Sequence, residues 1–310
     1  MQAYIGPTVN SDRQERLAIN QHLRGIASRL ASLDPTDMTA VRSLLRGIAT
    51  DTSLAPGVKA LPAPDAPVAG MWLIPRDADP GRRLVYYHGL SFMAGDLATY
   101  GGFASRLAAA TRAITFFVEY RLAPEHTYPV AHDDCRVALS WAQAHGPGSD
   151  VAAGCVLVGD SCGASLALAC ALDANRQGRP VAAVVLFSPF VDLSVSGDSW
   201  QRNEGRDPIL TADLARGCAT LYAPGIDPRD LRLSPVFDDL SSLPPLQIHA
   251  SAADPMFDDA TRLMSACNRA GVPVESHLWS DIAHVWYLFH DQLKQARHSI
   301  NLTGSFVRRL

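Results

Sequence analysis

The stretch from Cys155 to Cys170, CVLVGDSCGASLALAC, constrains this chain more than any other. Cys155 to Val158 is a short apolar run with β-branched residues, the pattern of a strand buried on both faces. Gly163 to Cys170 is small and apolar, dominated by Ala and Leu, which suits a tightly packed helix. Between them lies Gly159-Asp160-Ser161-Cys162-Gly163, a G-x-S-x-G turn. A serine on so sharp a strand-to-helix turn takes a strained backbone, and strand and helix approach until side chains two residues away would clash. The turn also aims the first N–H groups of the helix at whatever the serine attacks, where negative charge is favoured. The pattern alone occurs by chance in roughly one chain in ten of this length. The flanking strand and helix therefore carry the weight.

At 310 residues the chain has material for one large α/β domain with insertions, or for two modest domains. Hydrophobic residues at 47% and charged residues at 19% allow an ample core. A net charge of −4 and no Lys/Arg run argue against nucleic acid as a partner. No apolar run approaches the roughly 20 residues of a membrane span, and MQAYIGPTVNSDRQER lacks the pattern of a signal peptide. Cys135, Cys155, Cys162, Cys170, Cys218 and Cys267 include no C-x-x-C pair, and several sit in apolar segments. Free buried thiols in a cytoplasmic protein are expected, rather than disulfides or zinc.

Residues 11–33 carry Leu17, Ile19, Leu23, Ile26, Leu30 and Leu33 near helical spacing, with Ser11 or Asp12 as N-cap. A second helical piece spans Thr36–Ala49, and the Pro/Ala-rich stretch Ala55–Pro67 joins this appendage to the sheet. Strands are predicted at Val68–Ile74, Arg83–His88, Ala113–Tyr120, Cys155–Gly159, Ala182–Ser188, Leu246–Ala250 and Val274–Trp279. Helices are predicted at Leu97–Thr111, Ala131–His145, Gly163–Gln177, Asp258–Ala270 and Val285–Ser299. Such alternation implies an α/β fold with a mostly parallel sheet covered on both faces. The rhythm breaks between Asp192 and Val236, an insertion containing Trp200, Asn203, Glu204, Pro208 and Leu210. Following a strand's carboxyl end, it lands where such sheets bind ligands. The expected organisation is a helical cap segment at 1–55, core at 56–191, a lid insertion at 192–236 and core again at 237–310.

Serine is a poor nucleophile unless a base takes its proton and an acid orients that base. Where a G-x-S-x-G elbow heads a triad, acid and then histidine follow the serine along the chain. Asp254 lies directly after the run Leu246–Ala250, whereas Asp258 and Asp259 open the next helix, where a dipole role suffices for them. His284 follows the last strand, in the loop from which a base would reach back. His277 and His249 lie inside strands, His249 as a core residue, while His290 and His298 are placed on the final helix facing solvent. Donors for a developing oxyanion are expected from the N–H of Cys162 and from the loop Tyr87-His88-Gly89-Leu90-Ser91-Phe92.

With these residues in view the chain resembles the hormone-sensitive-lipase-like esterases of the α/β-hydrolases, typified by H-G-G-G and G-D-S-A-G-G. Those motifs correspond to His88-Gly89-Leu90-Ser91 and Gly159-Asp160-Ser161-Cys162-Gly163-Ala164. Tyr120-Arg121-Leu122-Ala123-Pro124-Glu125 matches Y-R-L-A-P-E, followed by Tyr128-Pro129 as in the family. Asp254-Pro255-Met256-Phe257-Asp258 resembles D-P-L-x-D, and His284-Val285-Trp286 stands where the family has H-G-F. The likeness runs from about Val68 to the end, and the N-terminal helices resemble the family's cap. It implies an α/β-hydrolase fold with helices on both faces and a helical cap, no cofactor or metal, and homodimers, often through the last strand edge.

Two departures matter. The family's oxyanion loop donates from its last two glycines, which here are Leu90 and Ser91. If glycine serves a positive φ there, leucine costs on the order of 1–2 kcal/mol, unless the loop changes shape or Ser91 Oγ substitutes as donor. Cys162 replaces alanine and is expected to pack inward as a small hydrophobe. The expected chemistry is ester hydrolysis, with Ser161 as nucleophile, His284 as base, Asp254 as orienting acid, and Cys162, Ser91 and Leu90 at the oxyanion. His88 and Gly89 support the loop, Arg121 and Glu125 form a structural charged pair, and Phe92, Met93, Trp200 and Leu210 line an apolar substrate pocket. The alternatives are a triad enzyme specialised for a lactone, amide, formamide or acyl transfer, and a receptor-like ligand-binding protein.

Overall fold

The computed structural model describes residues 10–148, 152 and 154–310. Apolar runs become one sheet of β1 (Val58–Pro62), β2 (Gly70–Pro75), β3 (Asp79–Tyr87), β4 (Ala113–Val118), β5 (Gly154–Asp160), β6 (Ala183–Phe187), β7 (Leu246–Ser251) and β8 (Val274–Trp279). Their spatial order is β1-β2-β4-β3-β5-β6-β7-β8. The pairs β1–β2 and β2–β4 are antiparallel, and every later neighbour is parallel. The helices are α1 (Asn10–Leu30), α2 (Met38–Leu45), α3 (Leu97–Thr111), α4 (Val130–Ala144), α5 (Gly163–Arg176), α6 (Ser199–Arg202), α7 (Ala212–Tyr222), α8 (Phe257–Arg269) and α9 (Lys294–Arg308).

Each sheet face has its own core. Side chains of α4, α5 and α8 pack on one, and those of α1, α3 and α9 on the other. Burial on both faces is what forces the β4, β5 and β6 sequences to be almost continuously apolar. β5 sits in the middle of the sheet, so the residue after it emerges at the centre of the carboxyl edge. The segments after β7 and β8 reach the same edge.

The differences from expectation have physical causes. β1, Val-Lys-Ala-Leu-Pro, lies at the sheet edge, where lysine and proline are tolerated and no alternating pattern is needed, so it was not legible as a strand. Ser11 and Asp12 fall inside α1 rather than before it, and their side chains lie outside the described residues. The last helix does not span Val285–Ser299; it begins at Lys294. Val285 takes a left-handed φ of 58°, and Trp286–Phe289 are all buried. A run apolar on every side has no polar face to offer solvent, so it enters the core as irregular chain with one 3-10 turn. His290 is therefore buried rather than on a solvent-facing helix, while His298 is exposed on α9. Arg121 and Glu125 do not pair with each other. Arg121 forks onto Asp134 with bonds of 3.0 and 2.7 Å, and Glu125 receives Arg42 from α2.

Candidate active site

The turn after β5 closes as its residue types require. Ser161 holds φ = 51°, and its N–H donates to the Phe187 carbonyl at 2.9 Å. A Cβ on Gly159 would collide with the Gly163 carbonyl, and one on Gly163 with the Tyr87 carbonyl. Both obstacles are backbone, so neither can yield.

The loops after β7 and β8 bring two further side chains to Ser161. Ser161 Oγ and His284 Nε2 are 3.0 Å apart, and His284 Nδ1 is 2.8 Å from Asp254 Oδ2. With its proton on Nδ1, the imidazole donates to Asp254 and accepts from Ser161. Asp254 is fixed in turn, since its Oδ1 accepts the Met256 N–H at 2.9 Å. Asn203, from the insertion, donates to the carbonyls of Ala252 and Asp254, both at 2.9 Å. Ser161, His284 and Asp254 are all buried. Burial opposes a charged imidazolium, but the Asp254 charge and hydrogen bond, with Asp207 and Asp160 behind them, outweigh it and raise the His284 pKa.

Asp207 had no expected role. Its Oδ2 accepts the His284 backbone N–H at 2.6 Å, and its Oδ1 accepts those of Ile209 and Leu210. In sequence, Asp207-Pro208 reads only as a turn. Asp160 is likewise more than a motif letter. It accepts hydroxyls from Tyr86, Tyr100 and Tyr287 and the N–H of Gly89. Burial pushes its pKa up to about 6 despite those four donors. The tyrosines come from three separate segments, which no local pattern could join.

Gly89 passes the serine so closely that an added Cβ would lie 3.0 Å from Ser161 Cβ. The Tyr120 hydroxyl donates to the His88 carbonyl at 2.7 Å, and burial lowers the His88 pKa to about 4, leaving the ring neutral. Leu90, Ser91 and Phe92 come next with φ of 67°, 60° and 62°. The glycine-like conformation is therefore kept without glycine, at a strain on the order of 1–2 kcal/mol per residue. Among the described residues the N–H groups of Leu90 and Cys162 donate to no acceptor. Cys162 Sγ accepts from Phe92 N–H at 3.1 Å, and burial pushes the thiol pKa well up, so it stays neutral.

A cavity of about 340 Å³ opens in front of Ser161 and His284. α1 and α2 supply Leu23, Met38, Val41 and Leu45 to its walls, and α7 supplies Leu214, Gly217 and Cys218. Met93 and Leu210 are among its lining residues. Phe92 and Trp200 are instead core residues, Phe92 stacked on Tyr222 and Trp200 edge-on to Phe190. Among the described residues no cluster of three or more His, Cys, Asp or Glu is placed to hold a metal ion. None of their helices is long and apolar enough to cross a membrane. All six cysteines are free and buried.

A parallel-centred sheet with a serine on the βα turn and a histidine and carboxylate after later strands defines the α/β-hydrolase class of enzymes. Known proteins agree. The alpha/beta hydrolase fold family model matches residues 84–288. An acetyl-hydrolase of Streptomyces hygroscopicus is 38% identical over 242 residues, covering 76% of this chain and 78% of that protein. An esterase of Acinetobacter venetianus is 32% identical, covering 73% and 75%. A solved esterase of the bacterial hormone-sensitive lipase family superposes with a TM-score of 0.85 at 28% identity, covering 94% of this chain and 98% of that one. The chain belongs to the α/β-hydrolase family, among its hormone-sensitive-lipase-like esterases, and is an enzyme of the carboxylesterase type.

Proposed function

We propose that the chain hydrolyses carboxylic esters of small-to-medium apolar acyl or alcohol groups through an acyl-enzyme. The observation carrying this reading is the unbroken relay from Ser161 through His284 to Asp254. His284 takes the Ser161 proton as Oγ attacks the ester carbonyl. The N–H groups of Leu90, Ser91 and Cys162 receive the oxyanion, and Asp254 stabilises the imidazolium. The imidazolium then protonates the departing alcohol. Water, deprotonated by the same ring, releases the acid and restores the serine. Apolar walls around a 340 Å³ cavity support an apolar substrate.

Residues 1–55 and 192–236 act together as the cap, a role supported by the cavity walls that α1, α2 and α7 provide. Six unpaired thiols support a cytoplasmic location. The open edge of β8 is where a second copy would pair in the dimer that the family resemblance implies. A second reading keeps the relay but assigns a lactone, amide, formamide or acyl transfer as the natural reaction. The non-glycine loop at Leu90–Phe92 favours it.

A p-nitrophenyl ester series with fluorophosphonate labelling tests the assignment. Turnover and labelling are expected, with both abolished by Ser161→Ala and turnover abolished by His284→Ala. Labelling without turnover of simple esters supports the second reading; absence of both refutes the hydrolase.

A further inference from the structure

Three consecutive residues with side chains, Leu90, Ser91 and Phe92, hold positive φ beside the serine. Such residues leave that region unless their surroundings over-determine them. Several contacts converge here. The Phe92 N–H donates to Cys162 Sγ at 3.1 Å, and the Phe92 carbonyl accepts the Ala123 N–H at 2.9 Å. Its ring stacks on Tyr222 with centroids 3.9 Å apart and planes 6° from parallel. From α2, Arg42 donates Nε to the Met93 carbonyl at 2.8 Å and Nη2 to the Ala123 carbonyl at 3.0 Å. Glu125 holds the same guanidinium at 2.8 and 2.6 Å. One arginine thus clamps both the chain leaving the loop and the segment that Phe92 bonds.

The departure at 162 bonds the amide that directly follows the departures at 90 and 91. Side chains enter the loop at 90 and 91, and a thiol enters the elbow at 162, within reach of the next loop amide. With alanine at 162, the buried Phe92 N–H would lose its acceptor and the loop one of its ties. We propose that Cys162 and Arg42 are positioning residues, which hold the non-glycine loop in the one conformation that presents its amides to the oxyanion. The proposal rests on the acyl-enzyme reading above and assigns neither residue a place among the reacting atoms.

The test compares Cys162→Ala, Cys162→Ser and Arg42→Met in the natural loop and in a Leu90→Gly/Ser91→Gly loop. Turnover of p-nitrophenyl butyrate is normalised to sites titrated with fluorophosphonate, so that only folded, reactive enzyme is counted. In the natural loop Cys162→Ala and Arg42→Met each lower kcat at least tenfold while KM stays within threefold. Cys162→Ser, which keeps an acceptor, retains more kcat than Cys162→Ala. In the glycine loop, where only Phe92 still needs support for its positive φ, each loss shrinks at least fivefold. A smaller loss in the natural loop, a smaller ratio between loops, or the reverse order of serine and alanine overturns the proposal. A parent enzyme with neither labelling nor turnover overturns the hydrolase reading as well; an active parent with indifferent variants overturns only the brace.

Discussion

His284 donates its backbone N–H to Asp207 Oδ2 at 2.6 Å, so the ring facing Ser161 belongs to a residue held by a second carboxylate. Asp207 comes from the insertion after β6 and is itself buried. Its negative charge is among the causes that raise the His284 pKa. In the role proposed for it His284 acts as base only when unprotonated, so kcat/KM should climb with pH through that raised value. Asp207→Asn keeps an oxygen to accept the N–H but removes the charge that favours imidazolium. The acidic limb of the pH profile should move to lower pH. A limb that stays in place, or moves to higher pH, refutes the charge role.

Asp254 makes two distinct bonds, Oδ2 to the imidazole and Oδ1 to the Met256 N–H. Asparagine can keep the second while presenting an NH₂ to Nδ1. The imidazole must then carry its proton on Nε2, where it can no longer accept from Ser161. Asp254→Asn should lower kcat by roughly 10⁴-fold, as expected when the wrong tautomer is imposed, with a melting temperature near that of the parent. Retention of more than a tenth of the activity rules Asp254 out as the orienting acid.

The range of each interaction decides whether the sequence discloses it or hides it. The elbow is legible because its constraint is local: Gly159, Ser161 and Gly163 answer to backbone within a few residues or on the adjoining strand. Asp254 and His284 are expected from their chain order relative to the strands, and the structure brings both side chains together beside Ser161. Asp207, Arg42 and the tyrosines around Asp160 are not expected, since each acts across a fold-level distance and looks locally like a turn, a helix surface or a core aromatic. Phe92 and Trp200 were misplaced in the pocket for the converse reason. Hydrophobicity marks a residue for burial without saying whether a core or a cavity buries it. The run after Val285 is expected as a helix, but its lack of a polar side buries it as irregular chain with one 3-10 turn.

The charges in the cavity walls predict selection against anionic substrates. Among the described residues its lining contains the carboxylates of Asp207 and Asp213 and no Lys or Arg. An anionic substrate would give up hydration and meet the buried Asp207 with no Lys or Arg in the walls to offset it, whereas the exposed Asp213 is already paired with Arg216 at 3.2 Å. A p-nitrophenyl monoester of a six-carbon dicarboxylic acid should show kcat/KM at least about 100-fold below that of p-nitrophenyl hexanoate, a penalty of about 2.7 kcal/mol. Asp213→Lys, at the exposed mouth, should narrow the gap. Equal rates for the two esters in the parent would contradict this account of the walls.

Gly217 offers a direct probe of how the substrate occupies the cavity. It sits on α7, lines the cavity, and a Cβ built on it meets nothing within 4 Å. The first carbon of a larger side chain therefore meets no protein atom. Replacing a mid-helix glycine also favours the helix by a few tenths of a kcal/mol up to about 1 kcal/mol, depending on the residue. Gly217→Phe should thus fold at least as stably as the parent while filling part of the volume that an acyl or alcohol chain would use. Turnover of p-nitrophenyl acetate should stay within about threefold, and that of p-nitrophenyl octanoate should fall at least tenfold, as expected when apolar burial is lost across several methylenes. If both esters fall together, the phenylalanine blocks entry to Ser161. If neither falls, the substrate chain runs along α1 and α2 instead, past Leu23 and Val41.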